Sequence, residues 1–198
     1  MAQPVRLLMS SASPFARKCM VVIRERGLHG IEEISVSSIE SPELLIRANP
    51  ISQVPALIFD DGSSLWDSPL ICAYLDTLGD APPLTPPTDF TIRRRETAAD
   101  GIMELAVKLR QEQLRPASER SSSWQERWRV NIRRALDAAE QDQGLDGDSL
   151  NLGIIAWGCA LPYLDFRHGD LDWRAGRPRL QDLSKRLSGL PSFIDTRP

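Results

Sequence analysis

Val5-Arg6-Leu7-Leu8-Met9-Ser10-Ser11-Ala12-Ser13-Pro14-Phe15-Ala16-Arg17-Lys18 passes from a short apolar run to a helix start within a few residues. Val5–Met9 reads as a strand. Ser13 is a favoured N-cap and Pro14 suits the first helical position. The helix predicted from Ser13 runs to Arg26, with Gly27 as its stop. The Ser13 hydroxyl then stands at a positive helix end, among backbone N–H donors that lack partners. Such a place suits an anion or a thiolate. Ser13-Pro14-Phe15 is also an ordinary way to begin a helix, so the tripeptide alone decides nothing about function.

Working outward, the same alternation continues to residue 78. Ile31–Val36 reads as a second strand, and Ser41-Pro42-Glu43 opens a short helix ending near Asn49-Pro50. Ala56–Phe59 is an apolar strand, Asp61-Gly62 a hairpin turn, and Ser64–Trp66 the returning strand. Ser68-Pro69 repeats the serine-plus-proline start for a helix to about Leu78. The order is β-α-β-α-β-β-α. Gly79–Pro87 holds four prolines and no periodic apolar pattern, which marks a linker. After Asp89 the pattern is helical. Trp124, Trp128, Ile132 and Leu136 recur every four residues and predict an amphipathic helix with the tryptophans in its core face. Asn151 can cap a helix over Leu152–Phe166 that is apolar almost all round, hence buried in the middle of its domain. Pro162 is expected to bend or shorten it. The expected architecture is an α/β domain over 1–78, a linker over 79–88 and an all-helical domain over 89–198.

Composition removes several classes of function. At 198 residues, with 41% hydrophobic and 26% charged side chains, the chain is an ordinary globular sequence. No apolar run reaches the roughly 20 residues of a bilayer span. The N-terminus lacks the pattern of a secretory signal, so a cytoplasmic location and no membrane partner are expected. Cys19, Cys72 and Cys159 are widely spaced and suggest buried apolar residues rather than a disulfide framework. His29 and His168 stand apart without other ligand-type residues, so no metal site is expected. The net charge of −3 argues against nucleic acid as a partner. Arg93-Arg94-Arg95 is followed by Glu96 and Asp100 and reads as a solvated helix face.

A second informative stretch is Asn49-Pro50-Ile51-Ser52-Gln53-Val54-Pro55-Ala56-Leu57. Proline directly before an apolar strand cannot donate to the ladder, and a cis Val54–Pro55 bond is one solution. In Asp67-Ser68-Pro69, Ser68 opens another positive helix end. Two helix N-termini and one free backbone edge together suit a short peptide-like anion.

With these segments in order, the chain resembles the cytosolic glutathione transferases, and in particular small bacterial members with an S-P-F motif. Ser13 to Lys18, Asn49 to Leu57, and Asp67-Ser68-Pro69-Leu70-Ile71 with Tyr74-Leu75 carry the resemblance in the first part. Ala99-Asp100-Gly101-Ile102-Met103, Gln113-Leu114-Arg115-Pro116-Ala117, Ala160-Leu161-Pro162-Tyr163-Leu164-Asp165-Phe166-Arg167 and Leu190-Pro191-Ser192-Phe193 carry it to the end.

The resemblance implies a thioredoxin-like first domain, an all-helical second domain and a homodimer. It implies that Pro55 is cis and that the Val54 backbone pairs with the cysteinyl part of glutathione. Ser68, helped by Asp67, takes the γ-glutamyl end, and Gln53 lies near the tripeptide backbone. Ser13 is the catalytic candidate that hydrogen-bonds the sulfur, with Ser10 and Ser11 as rival donors. Asp100 is a candidate to reach glutathione across a dimer. Met103, Val107 and Arg110 are expected to line the place of a second, small electrophilic substrate.

Glutathione is implied as a co-substrate, and no other cofactor. Thioredoxin-like redox enzymes carry cysteine at the positions of Ser13 and Ala16, so a protein dithiol cycle there is excluded. A tyrosine-based mechanism is excluded too, because Tyr74 and Tyr163 fall in later helices. The family's capping motif at the buried helix is incomplete, since Asn151 is present but Ile154 cannot return the bond. The expected activity is attack of the glutathione thiolate on small electrophiles or organic hydroperoxides. A non-catalytic glutathione-binding or protein-interaction module is the alternative.

Overall fold

A computed structural model describes residues 2–147 and 149–197. The chain divides into two compact units, Met1–Asp89 with Pro191–Pro198, and Phe90–Leu190.

The first unit has the expected element order: β1 Pro4–Met9, α1 Pro14–Glu25, β2 Glu32–Ser35, α2 Glu43–Ala48, β3 Ala56–Phe59, β4 Ser64–Trp66 and α3 Ser68–Leu75. The sheet order is β2-β1-β3-β4. β1 pairs in parallel with β2, which the α1 crossover permits, and antiparallel with β3. β3 and β4 form the hairpin predicted around Asp61-Gly62. Leu7 and Leu8 are both fully buried although successive strand side chains point to opposite faces, so both faces of the sheet are covered. On one face Leu8 packs with Leu45 and Ala48 of α2 and with Ala56 and Ile58 of β3. α1 and α3 pack on each other, with Cys19 Sγ 3.7 Å from Cys72 Sγ. Gly27 follows the α1 C-cap at φ 59°, the left-handed stop its position predicts.

The proline-rich stretch after α3 is fastened down. Arg26, at the α1 C-cap, donates to the carbonyls of Leu78 (3.2 Å), Ala81 (2.7 Å) and Pro82 (2.6 Å). Asp76, at the α3 C-cap, accepts from Leu84 N (2.8 Å) and Thr85 N (2.9 Å) and lies 3.7 Å from Arg26. Both charges are buried, and the backbone bonds satisfy the lone pairs and protons that their mutual pairing leaves over.

In the second unit, α4 spans Phe90–Leu114, α5 Ser122–Glu140, α6 Leu152–Arg167 and α7 Pro178–Ser188. α6 is its centre: Ile155, Ala156, Cys159, Ala160, Leu161 and Leu164 have no exposed surface. Asn151 Oδ1 accepts from Ile154 N at 3.0 Å, the cap its position predicts. The helix runs through Pro162 to Arg167, so the expected shortening does not occur. Burial of Leu161, Tyr163 and Leu164 around the proline holds the last turn in place.

Two other expectations are corrected. Ile132 and Leu136 of α5 are buried, but Trp124 is 53% exposed and stacks on Trp128 at 5.8 Å, with Arg127 over its ring. A strict four-residue spacing drifts by about 40° per step, so Trp124 lies about 120° around the helix from Leu136. The chain end also groups differently from the expected 89–198 helical domain. The last helix, α8 Pro191–Ile194, joins the first unit, where Arg17 Nη2 of α1 donates to Phe193 O at 3.0 Å. The Phe193 ring lies beneath the same guanidinium and is 1% exposed.

Candidate glutathione site

The strand registers bring three chain segments to one end of the first unit's sheet. Leu8 pairs with Ala56 and Ala56 with Trp66, so the end of β1, the start of β3 and the end of β4 are neighbours. From these points leave the turn into α1, the Val54–Pro55 entry to β3, and the Asp67–Ser68 entry to α3. Ser13, Val54, Pro55, Asp67 and Ser68 therefore share one sheet edge. Gln53 immediately precedes Val54 in the chain.

At the first point, Ser13 N donates to Ser10 O at 2.9 Å and closes a turn over Ser11 and Ala12. Ser13 Oγ accepts from Ala16 N at 3.2 Å as the α1 N-cap. The cap uses a lone pair of the hydroxyl and leaves its proton for donation. Ser13 and Ser10 are half-buried and Ser11 is exposed.

At the second point, the Val54–Pro55 bond is cis. Pairing of β3 with β4 begins at Ala56, so Val54 stands outside the ladder. Asn49 holds the preceding loop: its Nδ2 donates to Gln53 O at 2.8 Å and its Oδ1 accepts from Ile51 N at 3.0 Å. Asn49 is 3% exposed, and its positioning role is absent from the sequence reading. An amide side chain at a helix end before Pro50 is the signal by which it could have been found. Gln53 itself is exposed.

At the third point, Asp67 is exposed, has φ 73° and makes no side-chain cap bond to α3. A non-glycine residue in that region carries about 1–3 kcal/mol of strain and is held by its surroundings. Ser68 is 1% exposed, and its hydroxyl has no hydrogen-bond partner among the described residues. Neither α1 nor α3 carries an acidic residue in its first turn, and the one carboxylate at either end is that of Asp67, the α3 N-cap residue.

The remaining sequence candidates lie on α4 in the second unit. Asp100, Val107 and Arg110 are half-buried, whereas Met103 is fully buried and serves the core there. Among the described residues no group of three or more His, Cys, Asp or Glu side chains suits a metal ion. No described helix is long and apolar enough to cross a membrane.

These features coincide with matches to known proteins along the whole chain. Residues 12–78 match the glutathione S-transferase N-terminal domain and residues 122–186 the C-terminal domain. The uncharacterised GST-like protein YibF of Escherichia coli K12 is 34% identical over 200 residues, covering 98% of each chain. A glutathione transferase family member of Pseudomonas fluorescens Pf-5, crystallised with glutathione, has a TM-score of 0.93 at 35% identity over 98% of both chains. It has also been crystallised with S-(propanoic acid)-glutathione, and that structure has a TM-score of 0.88 at 35% identity over 98% of both chains. A glutathione S-transferase of Methylobacterium radiotolerans in complex with glutathione sulfonate has a TM-score of 0.87 at 34% identity, covering 98% of this chain and 94% of that one. This chain belongs to the glutathione S-transferase family.

Proposed function

We propose that the protein is a glutathione transferase that activates the thiol of bound glutathione through Ser13. The observation that carries this reading is the buried, unpartnered hydroxyl of Ser68 at the α3 N-terminus, on the same sheet edge as the Ser13 cap and the cis Val54–Pro55 bond. A buried hydroxyl without a partner is unfavourable by about 1–3 kcal/mol, which a carboxylate ligand offsets. The γ-glutamyl carboxylate meets Ser68 and the positive end of α3, with Asp67 toward the ligand's amino group. The Val54 peptide, outside the ladder, pairs with the cysteinyl backbone, and Gln53 lies beside the tripeptide.

In this proposed arrangement the sulfur meets the Ser13 hydroxyl. A free thiol has a pKa of about 8.5 and is mostly protonated at neutral pH. A donated hydrogen bond and the positive end of α1 stabilise the thiolate, the form that acts as nucleophile. Serine supplies a proton to the bond and forms no covalent intermediate. The relative with bound S-(propanoic acid)-glutathione holds a thioether, the kind of product that attack on a carbon electrophile leaves. Organic hydroperoxides are the second class of acceptor for the same thiolate.

Titration of bound glutathione by ultraviolet thiolate absorbance tests the proposal. The wild type is expected to lower the thiol pKa by at least about one unit, and Ser13→Ala to return it to about 8.5. An unshifted thiol in the wild type identifies a binding module instead. A shift that Ser13→Ala leaves in place, but that Ser10→Ala or Ser11→Ala removes, moves the role to one of those serines.

A further inference from the structure

We propose that Cys19 and Cys72 form an oxidisable dithiol whose disulfide loosens the glutathione site. Its effect on affinity rests on the glutathione site proposed above.

The two cysteines come from different helices of the first unit, Cys19 from α1 and Cys72 from α3. Their sulfurs stand 3.7 Å apart, and neither side chain has any exposed surface. The sulfurs are therefore already in contact, and a disulfide of about 2.05 Å closes the gap that remains. Positions 13 and 16 carry no cysteine, so this pair is the only dithiol the first unit can offer. The proposed transferase chemistry uses neither sulfur. Cys159 lies on α6 in the other unit and serves as the control.

The pair sits close behind the ligand edge. Cys72 follows Ser68 by about one turn of α3, and Cys19 lies within two turns of the Ser13 cap on α1. The Cys19 thiol donates to Ser68 O at 4.0 Å, a long, weak sulfur bond to the peptide of that buried serine. Oxidation removes both thiol protons, so Ser68 O loses this donor. It also draws the sulfurs from 3.7 Å to about 2.05 Å. In a close-packed interior such a movement is passed on to the helices that carry it. Ser68 then shifts relative to Ser13 and Val54, and the γ-glutamyl end of the ligand is held less well.

An organic hydroperoxide, one of the acceptors proposed for the glutathione thiolate, is the oxidant. One cysteine, as its thiolate, attacks a peroxide oxygen. The O–O bond breaks, the alcohol leaves carrying the thiol's proton, and a sulfenic acid remains. The second thiol attacks that sulfur, forms the S–S bond and releases water. Two thiols and one hydroperoxide thus give one disulfide, one alcohol and one water. Because both sulfurs are buried, the peroxide meets them during local opening of α3, a helix of eight residues.

The test treats the intact chain with cumene hydroperoxide, alkylates the remaining thiols in denaturant and maps the peptides by mass spectrometry. A cross-linked peptide joining Cys19 to Cys72 is expected, with Cys159 alkylated. Calorimetry then uses S-methylglutathione, which fills the site but has no thiol to reduce the disulfide. The oxidised form should bind it at least about fivefold more weakly than the reduced form, a typical coupling between two sites, and dithiothreitol should restore binding. Coupling is reciprocal, so in a dithiothreitol redox buffer saturating S-methylglutathione should shift the pair toward the dithiol by the same factor. Cys72→Ala, checked for folding by thermal melts, should bind S-methylglutathione equally before and after peroxide. Absence of the cross-linked peptide overturns the dithiol. A cross-link that leaves affinity unchanged overturns the coupling, as does a peroxide effect that persists in Cys72→Ala. If the reduced wild type does not bind S-methylglutathione, the transferase reading falls and the coupling with it, while the peptide map still decides the dithiol.

Discussion

Two helix starts, one in each unit, treat their polar groups in opposite ways. In the helical unit, Glu140 is 9% exposed and accepts from Arg179 N at 2.9 Å and Leu180 N at 3.0 Å, so a carboxylate on α5 caps the start of α7. In the first unit, Ser68 opens α3 with a hydroxyl that has no hydrogen-bond partner among the described residues, and Asp67 beside it leaves its side chain out of the cap. One helix start is completed from within the chain; the other is not, and under the proposed function the ligand completes it. A satisfied cap serves stability, while an unsatisfied one trades stability for recognition.

Three substitutions break or sharpen that contrast. Glu140→Ala should have the largest effect, because it strands two backbone donors at the α7 start and removes a charged acceptor. Unfolding free energy should drop by about 2–3 kcal/mol, read from denaturant midpoints. A change below measurement error would mean that the α7 start is not held by Glu140. Ser68→Ala should do the reverse. The free protein should keep its stability or gain slightly, because the hydroxyl has no bond to lose, while glutathione affinity falls by about tenfold. Destabilisation of the free protein by more than about 1 kcal/mol would show a partner for Ser68 inside the chain.

The smallest effect concerns His168. Burial, helped by Arg129 and Arg110, holds its imidazole below the ordinary value, against the opposing bond to Ala106. The unfolded chain therefore binds more protons than the folded one once pH drops below about 6.5. Stability should fall as pH is lowered from there toward the depressed folded value, and it is fully present at higher pH. His168→Gln, which keeps a donor for Ala106 O, should flatten that part of the profile in melts recorded from pH 7 to 5. An unchanged slope would assign it to other groups.

Much of the first unit was readable before any coordinates. Val5–Met9, the Ser13-Pro14 start, Gly27, the Asp61-Gly62 hairpin and the Ser68-Pro69 start are local devices, each set by a few neighbouring residues. The Asn151 cap is of the same kind. Ser13, Val54, Pro55 and Ser68 gained their roles through resemblance, since a cap and a proline are common by themselves. What stayed hidden depends on distant partners. The exposure of Trp124 turns on helical drift along α5. The fastening of residues 79–85 turns on Arg26 and Asp76, which are 50 positions apart in the chain. The return of α8 to the first unit turns on Arg17, more than 170 residues upstream of Phe193.

By itself, the sequence determined the order of elements, the two positive helix ends and the absence of cysteine at positions 13 and 16, because backbone preference and side-chain chemistry are local. Only the tertiary structure decided that three chain entries share one sheet edge, that Ser68 is buried without a hydrogen-bond partner among the described residues, and that Arg26 and Asp76 fasten the stretch after α3. Each of those facts is a relation between groups far apart in the chain, created when strand register and helix packing bring them together.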